Sequence, residues 1–396
     1  MPRFTRSFTQ QEPLPPEAQR AALAVMQSGR LHRYNTAPGE RSEAAALEAE
    51  FAEWQGARFC LAVGSGGQAM QIALRAGGVG PGDSVLTNAF TLAPVPGAIA
   101  AVGARPVLVE ITPDLVLDLD DLAARAAASG ARVLLLSHMR GHLCDMEALM
   151  ALADRLGLTV IEDCAHTMGA RFKGRRAGGF GRAACFSTQT YKHINSGEGG
   201  LLTTDDANLA ARATILSGSY MLYDRHGAGP DPAAFVDIRL DTPNMSARMD
   251  NLRAAVLRPQ LATLEANVAR WGGLYDRLAR GLQGIPGVAL PRAVEGAARV
   301  GSSLQFRLDG IDAGAARAVV AQAAAEGVEL KWFGAPEPAG FTSAHPSWRY
   351  VAAQHMPATD SILAGLFDLR LPLTFTPEDC DVIAAVIAEA IAKATG

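Results

Sequence analysis

The chain predicts an α/β fold, with a large domain on a mostly parallel sheet of seven strands and a smaller α+β domain after it. Seven short apolar runs, near 58–63, 83–88, 106–111, 132–137, 158–163, 183–187 and 200–204, recur through the first half. Helical patterns at 66–77, 118–128 and 145–156 fill the longer gaps. Strands that alternate with helices form crossover units, which require parallel strands covered on both faces. Beyond residue 285 the pattern changes. Two alanine-rich stretches, AGAARAVVAQAAAEG and DCDVIAAVIAEAIAKA, flank short strand candidates such as SSLQFRLDG and VELKWF, and alanine is the strongest helix former.

Taken in order, residues 1–40 hold Pro2, Pro13, Pro15, Pro16 and Pro38 and read as an arm with one short helix, EAQRAALAVMQSG, closed by Gly29. The strand and helix alternation starts near 45. Past the seventh strand, SGSYMLYDRHGAGPDPAAF is polar, aromatic and aperiodic, a loop of functional length. NMSARMDNLRAAVLRPQLATLEANVARWGGLYDRLARGL reads as helix broken near Pro259 and carries the chain between domains. The expected division is 1–265 for the arm and large domain and 266–396 for the small one.

With 396 residues, 49% hydrophobic, 19% charged and a formal charge of -4, the composition is that of a soluble enzyme and argues against nucleic-acid or membrane-surface binding. No run reaches the roughly 18 to 20 apolar residues of a membrane helix. The first twenty residues lack an apolar h-region, so a cytoplasmic place is expected. Cys60, Cys144, Cys164, Cys185 and Cys380 are odd in number and scattered, without paired-ligand spacing, and read as reduced core residues; no metal is expected.

The chemistry concentrates in three stretches. Lys192 lies in FSTQTYKHINSGEGG (186–200), among small and polar residues between two strand-like runs. Desolvation lowers a lysine's pKa, and the neutral amine attacks aldehydes to form a Schiff base. Asp163 ends LTVIED, and a carboxylate at the end of a parallel strand points into the crevice where such sheets bind ligands. There it can hold a proton on a pyridine nitrogen, as pyridoxal phosphate requires. AVGSGGQAM (62–70) runs from a strand through a glycine turn into a helix, where free N–H groups and the helix dipole favour a phosphate. Each signal is weak alone; their order along the chain is more specific.

The stretches SGRLHRYN, LEAEFAEWQGARFCLAVGSGGQAMQIALRA, GPGDSVLTNAFT, GARPVLVEI, LSHMRGHLCDMEAL, VIEDCAHTMGARFKG, CFSTQTYKHINSGEGGLLTTDD and MPATDSILAGLFDLRLPLTFTPEDCDVI span nearly the whole length. They resemble the pyridoxal-phosphate-dependent aminotransferases of fold type I, and within them the DegT/StrS-type sugar aminotransferases. The resemblance implies a three-layer large domain with a mostly parallel seven-stranded sheet, a small C-terminal α+β domain, and pyridoxal 5'-phosphate as cofactor. It implies a homodimer with sites built from two chains, glutamate or glutamine as amino donor, and a keto sugar, often nucleotide-linked, or keto cyclitol as acceptor. One alternative is a sugar dehydratase or another pyridoxal-phosphate lyase, such as an aldol-cleaving enzyme, on the same scaffold; the dehydratase carries histidine at the Schiff-base position, which Lys192 speaks against. A non-catalytic sensor keeping the fold is the other alternative.

By the same resemblance, Lys192 is the Schiff-base lysine and proton shuttle, and Asp163 the partner of the ring nitrogen. His166 stands beside the ring's phenolic oxygen, or else is a core histidine bonded to backbone. Ser187 binds the phosphate, or caps a strand end. Gly66 and Gly67 offer it their N–H groups, Gln68 has no assigned place, and Glu198 with the glycines after it is structural. His193, adjacent to Lys192, should point the other way. Three positions depart from the family pattern. Leu92 stands where an aromatic residue stacks on the pyridine, so aliphatic contact must replace stacking. Either Ser246 or Asn244 occupies the place of an asparagine that reaches the neighbouring subunit's phosphate. Arg140 replaces a common neutral aromatic; it either binds a substrate carboxylate or phosphate or makes a surface ion pair.

Overall fold

In the computed structural model, which describes residues 3–395, the period-2 alternation of the apolar runs sorts side chains onto two faces of one sheet. Leu134, Leu136 and Val160 join one hydrophobic cluster, while Leu135 and Ile161 join another on the opposite face. The large domain runs α1 (Pro16–Ser28), α2 (Glu43–Gln55), β1 (Phe59–Val63), α3 (Gly66–Ala76), β2 (Ser84–Asn88), α4 (Pro94–Ala101), β3 (Arg105–Val109), α5 (Leu119–Ser129), β4 (Val133–Ser137), α6 (Met146–Leu156) and β5 (Thr159–Asp163). A short hairpin, β6 (Arg171–Phe172) and β7 (Arg175–Arg176), precedes β8 (Ala183–Ser187), β9 (Gly200–Thr204) and α7 (Ala207–Ser217). The strand order is β1-β9-β8-β5-β4-β2-β3. Only β9 runs against the rest, being antiparallel to both β1 and β8. All seven predicted strands are present, and helices α3, α4 and α7 on one face and α2, α5, α6 and α8 (Asn251–Leu261) on the other make three layers.

The helices start where acidic or hydroxyl side chains accept first-turn N–H groups: Ser42, Ser65, Asp118, Asp145, Asp206 and Asp250 cap α2, α3, α5, α6, α7 and α8. The periodicity missed α2, α4 and α7. Ala44 to Glu48, Phe51, Ala52 and Gln55 of α2 are all buried, so no polar stripe marks the helix. Pro259 lies within α8 instead of ending it; the break comes at Ala262–Thr263, before α9 (Leu264–Gln283). The 265/266 division falls in the first turn of α9. The aperiodic stretch after α7 is not wholly irregular, since short 3-10 turns at Tyr220–Arg225 and Pro232–Phe235 bring Tyr223 onto Phe235 with ring centroids 4.5 Å apart.

The C-terminal part adds β10 (Val288–Ala289), β11 (Ala297–Ala298), β12 (Ser303–Leu308), α10 (Ala313–Ala325), β13 (Lys331–Trp332), α11 (Pro357–Ala364), β14 (Leu366–Arg370) and α12 (Pro377–Thr395). Its sheet is antiparallel in the order β10-β12-β14-β13. The N-terminal arm straps onto it: Phe4, Phe8 and Phe375 meet at 5.0 to 5.3 Å, and the Phe4 N–H reaches the Glu326 carbonyl at 2.8 Å. The segment before α11, with the first turn of that helix, returns to the large domain and covers the edge strand β3 and the residues just after it. There the Gln354 side chain accepts from Leu108 N–H at 2.9 Å and donates to the Pro106 carbonyl at 3.1 Å, and Thr359 Oγ accepts from Ile111 N–H at 3.2 Å. Side chains thus take the places of a further strand's backbone.

One charged pair is buried outright. Arg33 donates both terminal nitrogens to Glu48 of α2, at 2.6 and 2.8 Å, and Ala62 of β1 donates its N–H to the same carboxylate at 2.8 Å. His226 touches both partners, 3.1 Å from Arg33 and 3.2 Å from Glu48, and its other nitrogen lies 3.0 Å from the Tyr34 hydroxyl. Among the described residues no helix is long and apolar enough to cross a membrane.

Candidate active site

Parallel register brings the ends of β4, β5 and β8 level, with Ser137 beside Asp163 and Asp163 beside Cys185. These ends open on a cavity of about 370 Å³ whose wall includes Gly66, Gly67, Leu92, Asp163, His166, Ser187 and Lys192. Asp163 accepts the Ser137 hydroxyl at 2.9 Å and the Ala165 N–H at 3.1 Å, and Ser137 in turn accepts the Thr91 hydroxyl at 2.8 Å. Burial raises the Asp163 carboxyl above its ordinary value, against the pull of these donors and of Lys192. A desolvated carboxylate of this kind gains most from a cationic N–H partner.

Lys192 follows β8 on a loop closed on itself: Thr188 N–H bonds Gly199 O at 2.9 Å, Thr190 N–H bonds Gly197 O at 3.0 Å, and Lys192 N–H bonds Gln189 O at 2.8 Å. Its Nζ lies 2.9 Å from His166 Nε2. Burial, then the nearby Arg140 guanidinium, lower the lysine to about 7, with Asp163 opposing. Burial and Lys192 together hold His166 well below its ordinary value, so it is neutral. His193 turns the other way, 3.0 Å from Ser302 Oγ and edge-on to Trp271 at 5.1 Å between centroids.

The glycine turn closes the opposite wall. Ser65 caps α3 by accepting the Gln68 N–H at 3.1 Å, while the N–H groups of the first turn have no partner within the helix. A Cβ on Gly66 would stand 3.0 Å from Ser187 Cβ, and one on Gly200 would run into the Ser65 carbonyl and the Gly66 nitrogen. Bare backbone therefore lets α3 begin in contact with β8 and β9. Ser187 Oγ accepts the Gln189 N–H at 3.3 Å, which caps the strand end and leaves its own proton to donate. Free donors at a helix start, a strand-end carboxylate and a desolvated lysine across one cavity fit pyridoxal phosphate.

Of the remaining expected residues, Leu92 is half-buried in the cavity wall. Asn244 and Ser246 are exposed, bonded to each other at 2.8 Å through the Ser246 N–H, and outside this cavity. Arg140 is not at the surface; its side chain is 6% exposed and lies 2.8 Å from Asp368. Glu198 lines the cavity, in keeping with a turn close to the cofactor. The sequence reading missed Ser137 and Thr91, and Arg370, whose guanidinium carbon sits 3.7 Å over the Tyr191 ring. Ser137 closes an apolar run as Asp163 does, and the same strand-end argument would have found it. His138, Glu162 and Cys164 cluster closely enough for a metal ion. Glu162, however, already takes N–H groups from Gly178, Phe180 and Gly181 and lies 2.9 Å from His138, a satisfied structural network.

The fold and this wall of groups define a pyridoxal-phosphate-dependent enzyme. The chain belongs to the DegT/DnrJ/EryC1/StrS aminotransferase family, whose model matches residues 15–388. It is 37% identical over 283 residues, 71% of this chain and 69% of the relative, to a dTDP-3-amino-3,4,6-trideoxy-alpha-D-glucose transaminase of Streptomyces venezuelae. It is 35% identical over 259 residues, 64% of this chain and 60% of the relative, to the L-glutamine:scyllo-inosose aminotransferase of Streptomyces griseus. The matched stretches span 60% to 69% of the curated relatives' own lengths. Among solved structures, S. venezuelae DesV in complex with a ketimine intermediate superposes with a TM-score of 0.78 at 29% identity, over 96% of this chain and 95% of that one. A 3-amino-5-hydroxybenzoic acid synthase gives 0.82 at 25%, over 97% and 99%.

Proposed function

We propose that this protein moves an amino group from glutamate or glutamine to a keto sugar, often nucleotide-linked, or to a keto cyclitol. The observation that carries the reading is the pair Lys192 and His166, 2.9 Å apart, in the cavity that Asp163 lines. The curated relatives named above act on a dTDP-linked amino sugar and on scyllo-inosose. When bound, pyridoxal phosphate supplies an electron-withdrawing ring beside the carbon that gives up its proton. Asp163, steadied by Ser137, would hold a proton at the ring nitrogen. Gly66, Gly67 and Ser187 would hold the phosphate, with His166 and Leu92 beside the ring. Lys192 Nζ would hold the cofactor, and its pKa of about 7 suits it to take and return a proton near neutral pH.

A homodimer fits the surface. Leu23 and Met26 on α1, with Leu31, Tyr220, Met221, Leu240 and Met245, are 36% to 80% exposed, and Asn244 lies in the same exposed stretch as Met245. A second copy would cover them and receive Asn244 or Ser246 at its phosphate. The reading also takes 1–265 as the cofactor-binding unit, 266–396 as the small domain, and a cytoplasmic setting. The test is direct: L-glutamate or L-glutamine added to the purified holoenzyme should change its visible absorption and release the matching keto acid stoichiometrically. A keto sugar or keto cyclitol should then restore the spectrum and emerge aminated. Loss of a hydroxyl from the sugar without amination would favour the dehydratase instead.

A further inference from the structure

Two cations meet one buried carboxylate beside the cavity, and a third lies two residues along the same strand. Asp368 of β14 is fully buried; Arg140 lies 2.8 Å from it and Lys331 3.9 Å, and Gln305 donates to its other oxygen at 2.7 Å. Arg370, two residues on, lines the cavity with Arg140. Among the described residues Asp368 is the acid within salt-bridge distance of Arg140, and Arg370 has none, so positive charge is in excess at this wall.

Arg140 is the least satisfied of these groups. Its side chain is 94% buried, as the 6% exposure gives, yet its Nε has no hydrogen-bond partner, and Nη2 meets Asp368 at ion-pair distance without hydrogen-bond alignment. It is held there at a backbone φ of 56°, a left-handed conformation uncommon for residues other than glycine. A buried donor left unpaired costs free energy, and a guanidinium offers two parallel N–H groups to one oxyanion. The position is also deep. A Cβ on Gly141, the next residue, would lie 3.2 Å from the carbonyl of His166, whose ring touches Lys192. An anion bound to Arg140 therefore shares the cavity that Lys192 and His166 line.

We propose that Arg140, oriented by Asp368 and supported by Arg370, is a recognition subsite for an oxyanion, a carboxylate or phosphate ester, carried on the acceptor's own ring. The proposal rests on the transamination reading above and deepens it by naming the acceptor class. By the resemblance described above, relatives that share a glutamate or glutamine donor commonly carry a neutral aromatic at this position. The extra charge is thus assigned to the acceptor.

The test uses holoenzyme and three unreactive rings of the same shape: methyl glucuronide, methyl glucoside 6-phosphate and neutral methyl glucoside, with affinities measured by calorimetry. The parent should bind a charged ring roughly 10 to 100 times more tightly than the neutral one, the range of hydrogen bonds to charged groups. Which charged ring wins distinguishes carboxylate from phosphate. The ratio should collapse toward one in Arg140→Gln and recover in part in Arg140→Lys, with both variants checked for cofactor absorption as a sign of folding. Equal binding of all three rings by the parent overturns the subsite. So does an undiminished ratio in Arg140→Gln, or a loss of affinity for L-glutamate as large as that for the charged ring. Spectral conversion by L-glutamate in the same samples reports on transamination separately. A parent that prefers charged rings but is never converted refutes the transamination reading, while one that aminates neutral rings without preference refutes the subsite.

Discussion

Lys192 Nζ and His166 Nε2 face each other at 2.9 Å, and burial favours the neutral form of both. An ordinary lysine near 10.5 would be almost wholly protonated at neutral pH, and at about 7 half of it is a nucleophile. The rate at which cofactor-stripped protein recaptures pyridoxal phosphate should therefore climb with pH to about 7 and then level off. A rate still climbing above pH 9 would refute the lowered value. Borohydride should fix the label on Lys192; a label on Lys173 or Lys331 would move the assignment.

Asp163→Asn keeps the shape of the strand end and removes the charge. Proton abstraction should slow by roughly 100- to 1,000-fold, the scale of losing one preorganised electrostatic partner, while the far-ultraviolet spectrum stays unchanged. Ser137→Ala acts only through Asp163, and its loss should be smaller. Stopped-flow spectra of the glutamate half-reaction separate the two, and an Asp163→Asn rate within a factor of ten of the parent would end the proposed role.

Ser187→Ala should weaken cofactor retention by about 1 to 3 kcal/mol, a lost hydrogen bond to a charged group. Gly200→Ala tests the same cradle from behind: its methyl must displace the Ser65–Gly66 backbone, so retention should fall further, together with about 1 to 3 kcal/mol of stability. Dialysis against cofactor-free buffer and urea unfolding measure the two effects. A fully retained cofactor in Gly200→Ala would place the phosphate elsewhere.

Burial alone would raise the Glu48 carboxyl, but Arg33 and then His226 outweigh it and hold it well below the ordinary 4.5. A folded value below the unfolded one gives stability that is present above about pH 4.5 and is lost as pH falls toward the folded value. Arg33→Leu removes the partner and leaves the buried carboxylate alone, costing about 3 to 5 kcal/mol at pH 7. Double substitution, Arg33→Leu with Glu48→Leu, should recover much of it. Urea titrations at pH 7 and pH 4 give the comparison; a single variant as stable as the parent at pH 7 would show the pair to be dispensable.

What the sequence made legible follows from what leaves a local trace. Asp163, Lys192 and Gly66 each carry a signal within a few residues: a strand end, a polar loop, a glycine turn at a helix start. The seven strands were readable because alternate leucines and valines must face two cores. Helix α2 was not, because burial on nearly every side erases the polar stripe that periodicity needs. Arg370 was out of reach for another reason. It enters the cavity from β14, a strand whose neighbours β12 and β13 come from distant parts of the chain, and its stacking on Tyr191 is a fact of tertiary structure. Arg140 was read from one local motif as either a ligand for an anion or a surface pair. Its burial against Asp368 rules out the surface.

The side chains of Gln354 and Thr359 that seal β3 belong to the same excursion that places Phe341 and Ser343 in the cavity wall. One stretch of chain therefore serves as both clasp and cavity wall, and the two are joined where Trp348 Nε1 donates to Ser343 Oγ at 3.2 Å. For engineering, this junction separates what can be exchanged from what must stay. Exchanges aimed at another acceptor would be confined to residues 336–341, since Thr342 is buried and Ser343 and Ala344 are bonded to the run from His345 to Thr359 that hems the sheet. A graft that crosses into that run would unstitch the edge of β3 and expose it to other chains, so poor solubility, and not altered selectivity, would be the first symptom of cutting too far.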